Sequence, residues 1–130
     1  MNYNEGLMTY LGIESLYEFM QEICRIGMSV SVYEEFPELI DLDGLDASVV
    51  LDDPLLPKVQ IENLHVEDAD LHTVPVLKAD GVVWDVTENV NIRYAVCTLN
   101  EEGLENLVAC WTDFGPEPTL ICAGTLRVHF

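Results

Sequence analysis

The chain has 130 residues, 49% of them apolar, and sets 24 Asp and Glu against 5 Lys and Arg, a formal charge of −19. That length suits one domain burying about two-thirds of its unfolded surface, and the apolar content separates it from disordered chains, which pair high charge with low hydrophobicity. The acidity excludes a nucleic-acid reader, which needs a basic stripe against the phosphates, and disfavours an anionic membrane as partner.

No apolar run approaches the roughly 18 residues of a membrane-spanning helix. Residues 1–5 lack the positive region of a secretory signal, so a cytoplasmic location is expected. The first quarter reads as helical. After Ser15 the apolar positions Leu16, Phe19, Met20, Ile23 and Ile26 fall on one stripe. Ser15 and Glu18 form a Ser-x-x-Glu capping box, and Gly27 supplies a stop. Residues 5–11 predict a shorter helix ending at Gly12. Glu14, Glu18 and Glu22, four apart, are expected on the solvent side, with Arg25 suiting the C-terminal end of the dipole.

Beyond Gly27 the period changes to two. Met28, Val30 and Val32 alternate with Ser29, Ser31 and Tyr33. An acidic, loop-rich stretch follows over 34–70, with Pro37, Gly44 and Pro54 as breakers and a helical turn expected at 37–42. Val59, Ile61 and residues 64–66 resume an extended pattern. The runs 74–78 and 82–87 flank Ala79-Asp80-Gly81, a strong hairpin signal. Three longer strands are predicted at 91–99, 107–114 and 119–130. Short connections demand antiparallel pairing. The expected fold class is α+β in a single domain over 1–130: one or two N-terminal helices (1–27) packed on an antiparallel β-sheet of about five to seven strands (28–130).

The motifs that would carry a reaction are weak. His65-Val66-Glu67 has the His-x-Glu half of a zinc deaminase signature, but no Pro-Cys-x-x-Cys follows Pro75. His65 and His72 bracket Glu67, Asp68 and Asp70, donors that suit zinc, manganese or iron. Seven residues of regular strand would put the two imidazoles on opposite faces. Asp41-Leu42-Asp43-Gly44-Leu45-Asp46 misplaces the glycine of a calcium loop, and Asp52 or Asp53 only loosely replaces its late glutamate. Cys24, Cys97, Cys110 and Cys122 are 73, 13 and 12 residues apart, with no CxxC pair for zinc. Their apolar neighbours point to buried, reduced thiols, and disulfides among the strands carrying Cys97, Cys110 and Cys122 require an oxidising compartment. Trp84, Trp111, Tyr94 and Phe114 fall inside strands and are expected in the core. No nucleophile elbow or phosphate-binding loop occurs. A non-enzymatic protein without cofactor or metal is the expectation.

The acidic excess is local. Residues 34–70 contain twelve Asp and Glu against Lys58 alone. Such self-repulsion destabilises a compact chain and at the same time projects a field. Carboxylates two apart on a strand lie roughly 6.7 Å apart on one face, comparable to successive phosphates of a nucleic-acid strand. Asp41 with Asp43 and Asp68 with Asp70 have that spacing, while Glu35 and Glu38 align on a helical turn. The expected contact surface is Glu34, Glu35, Glu38, Asp41, Asp43, Asp46, Asp52, Asp53, Glu67, Asp68 and Asp70.

In charge and size, though in no motif, the chain resembles phage-encoded anti-CRISPR and anti-restriction proteins that mimic DNA. That resemblance implies an inhibitor whose partner is a basic protein, a nuclease or another nucleic-acid-binding protein. Two alternatives have other signatures. An immunity or antitoxin-type module would use aromatic anchors and depend less on salt. An acidic or salt-adapted domain with no mimic role would lose structure in dilute buffer.

Overall fold

The computed structural model describes residues 2–35, 39–42, 45–49, 56–67, 75–100, 107–122 and 124–128. Two helices open the chain. Helix α1 (Glu5–Tyr10) begins at Asn4, whose side-chain oxygen accepts from the Leu7 N–H, and it ends before Gly12 at φ +73°. Helix α2 (Leu16–Ile26) begins at Ser15, whose hydroxyl accepts from the Glu18 N–H, and stops at Gly27 with φ +88°. A Cβ at Gly27 would stand 3.2 Å from Asn100 Nδ2 and in a backbone region that L side chains rarely adopt. Glu14 precedes α2 rather than extending its acidic stripe, and Glu22 pairs with Arg25.

The main sheet is antiparallel, in the order β1 (Asn2–Tyr3), β11 (Val108–Asp113), β10 (Tyr94–Leu99), β2 (Met28–Tyr33), β5 (Val59–Gln60). Four two-stranded ladders complete it: β3 (Leu39–Leu42) with β4 (Leu45–Val49), β6 (His65–Glu67) with β7 (Val76–Lys78), β8 (Val82–Val86) with β13 (Gly124–Val128), and β9 (Val90–Ile92) with β12 (Thr119–Ile121). The fold is α+β with N-terminal helices, as the alternation of periods predicts.

One face of the main sheet meets the helices. Met28, Val30 and Val32 of β2, with Ala95, Cys97 and Leu99 of β10, join Leu7, Phe19, Met20 and Ile23 in a single apolar cluster. Phe19 is fully buried, with the Tyr3 ring edge-on at 6.3 Å. Removing such a ring from water stabilises the fold by about 1.5–3 kcal/mol. Although β2 alternates apolar residues with Ser29, Ser31 and Tyr33, all six of its residues are buried. Ser29, Ser31 and Tyr33 lie on the second face with Val96 and Val108. Ser29 is accommodated there by donating to Asn100 Oδ1 at 2.6 Å.

Several predicted elements are corrected. Residues 39–42 form strand β3 rather than a helical turn, because they pair with β4. The runs around Asp80-Gly81 do not form a hairpin with each other: β7 pairs with β6 and β8 pairs with β13. The Asp80 N–H donates to Glu62 O, and its carboxylate accepts from Asn63 at 2.6 Å, so the turn signal ties a crossing instead. The strand predicted at 91–99 is broken at Arg93, which leaves the ladder to donate its N–H to Tyr33 O and accept from the Phe114 N–H. The strand predicted at 119–130 is broken before Gly124, at φ +150°. Cys122 is exposed and Cys24 half-buried, whereas Cys97 and Cys110 are buried as expected. Trp84 is a core residue with its indole N–H on Pro57 O at 2.7 Å. Trp111 and Tyr94 are only half-buried, and Phe114 lies exposed beyond the end of β11.

Candidate functional site

Glu34 and Glu35 follow β2 directly, and both are exposed in the bend that leaves the sheet. A strand that ends in solvent carries its next side chains outward, so this pair stands at the rim of the main sheet. The chain then enters the β3–β4 ladder. Its register sets Asp41 opposite Asp46, next to an irregularity between Ile40 and Asp41. Directly opposed like charges destabilise a strand pair, and no local propensity requires two aspartates there.

Strand β4 runs beside α1 and β11. A cleft of about 940 Å³ opens between α1, β1, the α1–α2 connection and Trp111. Tyr3, Glu5, Met8, Glu14, Leu16 and Trp111 contribute to its walls. Glu5 and Glu14 are exposed, and among the described residues no Lys or Arg lines the cleft. Burial, followed by like-charge effects of Cys110, Cys97 and Cys24, pushes the Tyr3 phenol up to about 12, so it stays a neutral hydroxyl on this wall.

Glu67 lies elsewhere, on β6, where its carboxylate stands 3.4 Å from His65 Nε2. His65 Nδ1 donates to Asn63 O at 2.7 Å. That carbonyl and then Glu67 hold the imidazole above its ordinary value. His65 is thus a strand histidine beside a surface carboxylate. Among the described residues no group of three His, Cys, Asp or Glu is placed to hold a metal, and His72 lies outside them.

Of the predicted contact residues, Glu34 and Glu35 are neighbours on one bend, Asp41 and Asp46 are register partners, and Glu67 stands on a separate ladder. Glu38, Asp43, Asp52, Asp53, Asp68 and Asp70 lie outside the described residues. The sequence reading overlooked Glu5 and Glu14, which fall outside the dense acidic stretch and border the cleft only through the fold. It also overlooked the capping role of Asn4, although an Asn immediately before a helical stripe is a recognised start signal.

Two of the cations are engaged close to home. Arg93 forks onto Asp113 with two contacts of 3.2 Å and lies 4.8 Å from the centre of the Tyr94 ring. Arg25 pairs with Glu22. No helix among the described residues is long and apolar enough to cross a membrane. Comparisons of the chain with protein-family models, with curated proteins and with solved structures give no match.

Proposed function

We propose that this protein is an acidic inhibitor that occupies the basic, nucleic-acid-binding surface of another protein. The observation that carries this reading is stoichiometric. A folded core supports 24 carboxylates with 5 cationic side chains, so a large majority cannot be neutralised within the chain. Glu34 and Glu35 are adjacent and exposed, and Asp41 and Asp46 are register partners, so acidic residues fall together without any requirement of the fold. A basic groove built for phosphates meets such a surface with complementary potential, which raises the association rate and suppresses wrong partners. The chain acts by binding and performs no chemistry. An anti-CRISPR or anti-restriction role in a phage is the specific form this inhibition takes.

Affinity capture from host lysate, eluted in salt steps with and without duplex DNA, tests the reading. It expects nucleic-acid-binding proteins that salt releases and DNA displaces. An empty column contradicts it.

The cleft favours a second reading, an antidote-type module with one dedicated partner. Tyr3 and Trp111 give it aromatic walls of the kind that anchor tight interfaces. A partner that survives high salt and ignores DNA selects that reading.

A further inference from the structure

Cys97 and Cys110 occupy the centre of the main sheet, directly opposite each other on β10 and β11. Register partners in an antiparallel pair have Cα atoms about 4.5–5.5 Å apart, inside the roughly 4.4–6.8 Å window of a disulfide. Partners also share a face, so the two thiols stand side by side. Both residues are buried, and all four cysteines of the chain are free thiols. We propose that Cys97 and Cys110 are a latent modification site that closes to a cross-strand disulfide when a small-molecule disulfide reaches it.

Access follows from the topology. Cys97 lies between β11 and β2 and Cys110 between β10 and the two-residue edge strand β1, and both belong to the apolar cluster beneath the helices. Opening of the helix layer together with fraying of β1 therefore exposes Cys110, at the weaker side of the sheet, first. Its thiolate attacks the reagent, forming a mixed disulfide and releasing one thiolate of the reagent. The Cys97 thiolate then attacks the Cys110 sulfur and displaces the second half. The reagent gains two electrons and ends as two thiols, taking up the two protons that the cysteines lose. In the closed state the hydrogen bond that the Cys97 thiol donates to Cys110, then burial, holds the Cys97 thiol well above its ordinary value, so exchange waits on opening. Cys110 Sγ also contacts Met28 Sδ at 3.7 Å, and that thioether cannot compete because it forms no disulfide.

The experiment uses the full chain carrying Cys122→Ser, which removes the exposed thiol without touching the core. The protein is incubated with oxidised glutathione, in buffer and in urea just below its unfolding transition. It is then alkylated in denaturant and digested without reduction at Glu101, Glu102 and Glu105, which separate the two cysteines. The expected result is a monomer that has lost two alkylatable thiols and yields one linked peptide pair containing Cys97 and Cys110, faster in urea, with Cys24 alkylated. Full alkylation of Cys97 and Cys110 under both conditions overturns the proposal. A link from Cys24 to either of them does so as well.

Discussion

Asp41 on β3 and Asp46 on β4 are register partners across a ladder whose second strand runs beside α1. Two like charges opposed on neighbouring strands act against the ladder that holds them. Their presence is understandable if the field they project serves a partner.

The pair gives a prediction with opposite signs for stability and binding. Asp46→Asn should raise unfolding stability by about 0.2–1 kcal/mol, the scale of a cross-strand pair, while weakening capture of the basic partner. Urea denaturation reads the first effect and equilibrium binding reads the second. A variant that is less stable than the native chain would show that the aspartates are not in opposition.

Asn4 joins the N-terminus to the sheet. Its oxygen caps α1 through the Leu7 N–H at 3.3 Å, and its Nδ2 donates to Val108 O at 2.9 Å across the buried edge. Asn4→Ala loses a cap and strands a buried carbonyl, about 2–4 kcal/mol together. Asn4→Ser restores the cap alone and should recover roughly 1 kcal/mol. A urea midpoint unchanged in Asn4→Ala would remove this residue from the account of the fold.

Thr98 presents the reverse case. Its hydroxyl is buried on the second face of the sheet and finds no partner among the described residues. An unsatisfied buried hydroxyl costs about 1–3 kcal/mol, so the isosteric Thr98→Val should leave stability unchanged or raise it. A loss above about 1 kcal/mol in thermal or urea unfolding would mean that the hydroxyl is satisfied after all.

His65 should titrate above about 6.5, the ordinary histidine value, because Asn63 O and then Glu67 favour its protonated form. A group whose folded value is raised stabilises the fold fully below its unfolded value. That contribution disappears as pH rises through the folded value. An NMR titration of the ring protons checks the midpoint, and Glu67→Gln should lower it. A midpoint at or below the ordinary value in the native chain contradicts the geometry.

Local signals in the sequence were strong where a single element settles its own ends. Ser15 with Glu18 and the stripe from Leu16 to Ile26 specify α2 because caps and period act within a few residues. The change of period at Met28 likewise marks β2. Partner choice is not local, and there the letters misled. Asp80-Gly81 has the chemistry of a hairpin turn, but the backbone bond from Asp80 to Glu62 sends β7 to β6 and β8 to the C-terminal strand.

The candidate site follows the same division. That Glu34 and Glu35 would be exposed is legible from their charge. That Asp41 and Asp46 oppose each other, and that Glu5 and Glu14 border one cleft with Trp111, depends on contacts between elements distant in the chain. Cys97 and Cys110 are 13 residues apart, and only the β10–β11 register makes them neighbours.

The most direct test of the central claim is competition at a captured basic partner. Duplex DNA is displaced from it by the native chain, then by a chain carrying Glu34→Gln, Glu35→Gln, Asp41→Asn and Asp46→Asn, across a range of salt. The account predicts that the native chain displaces DNA, that its affinity falls as screening shortens the reach of its field, and that the neutralised chain, still folded, loses displacement at least about tenfold, equivalent to ~1.4 kcal/mol. Equal displacement by both chains, insensitive to salt, would contradict it.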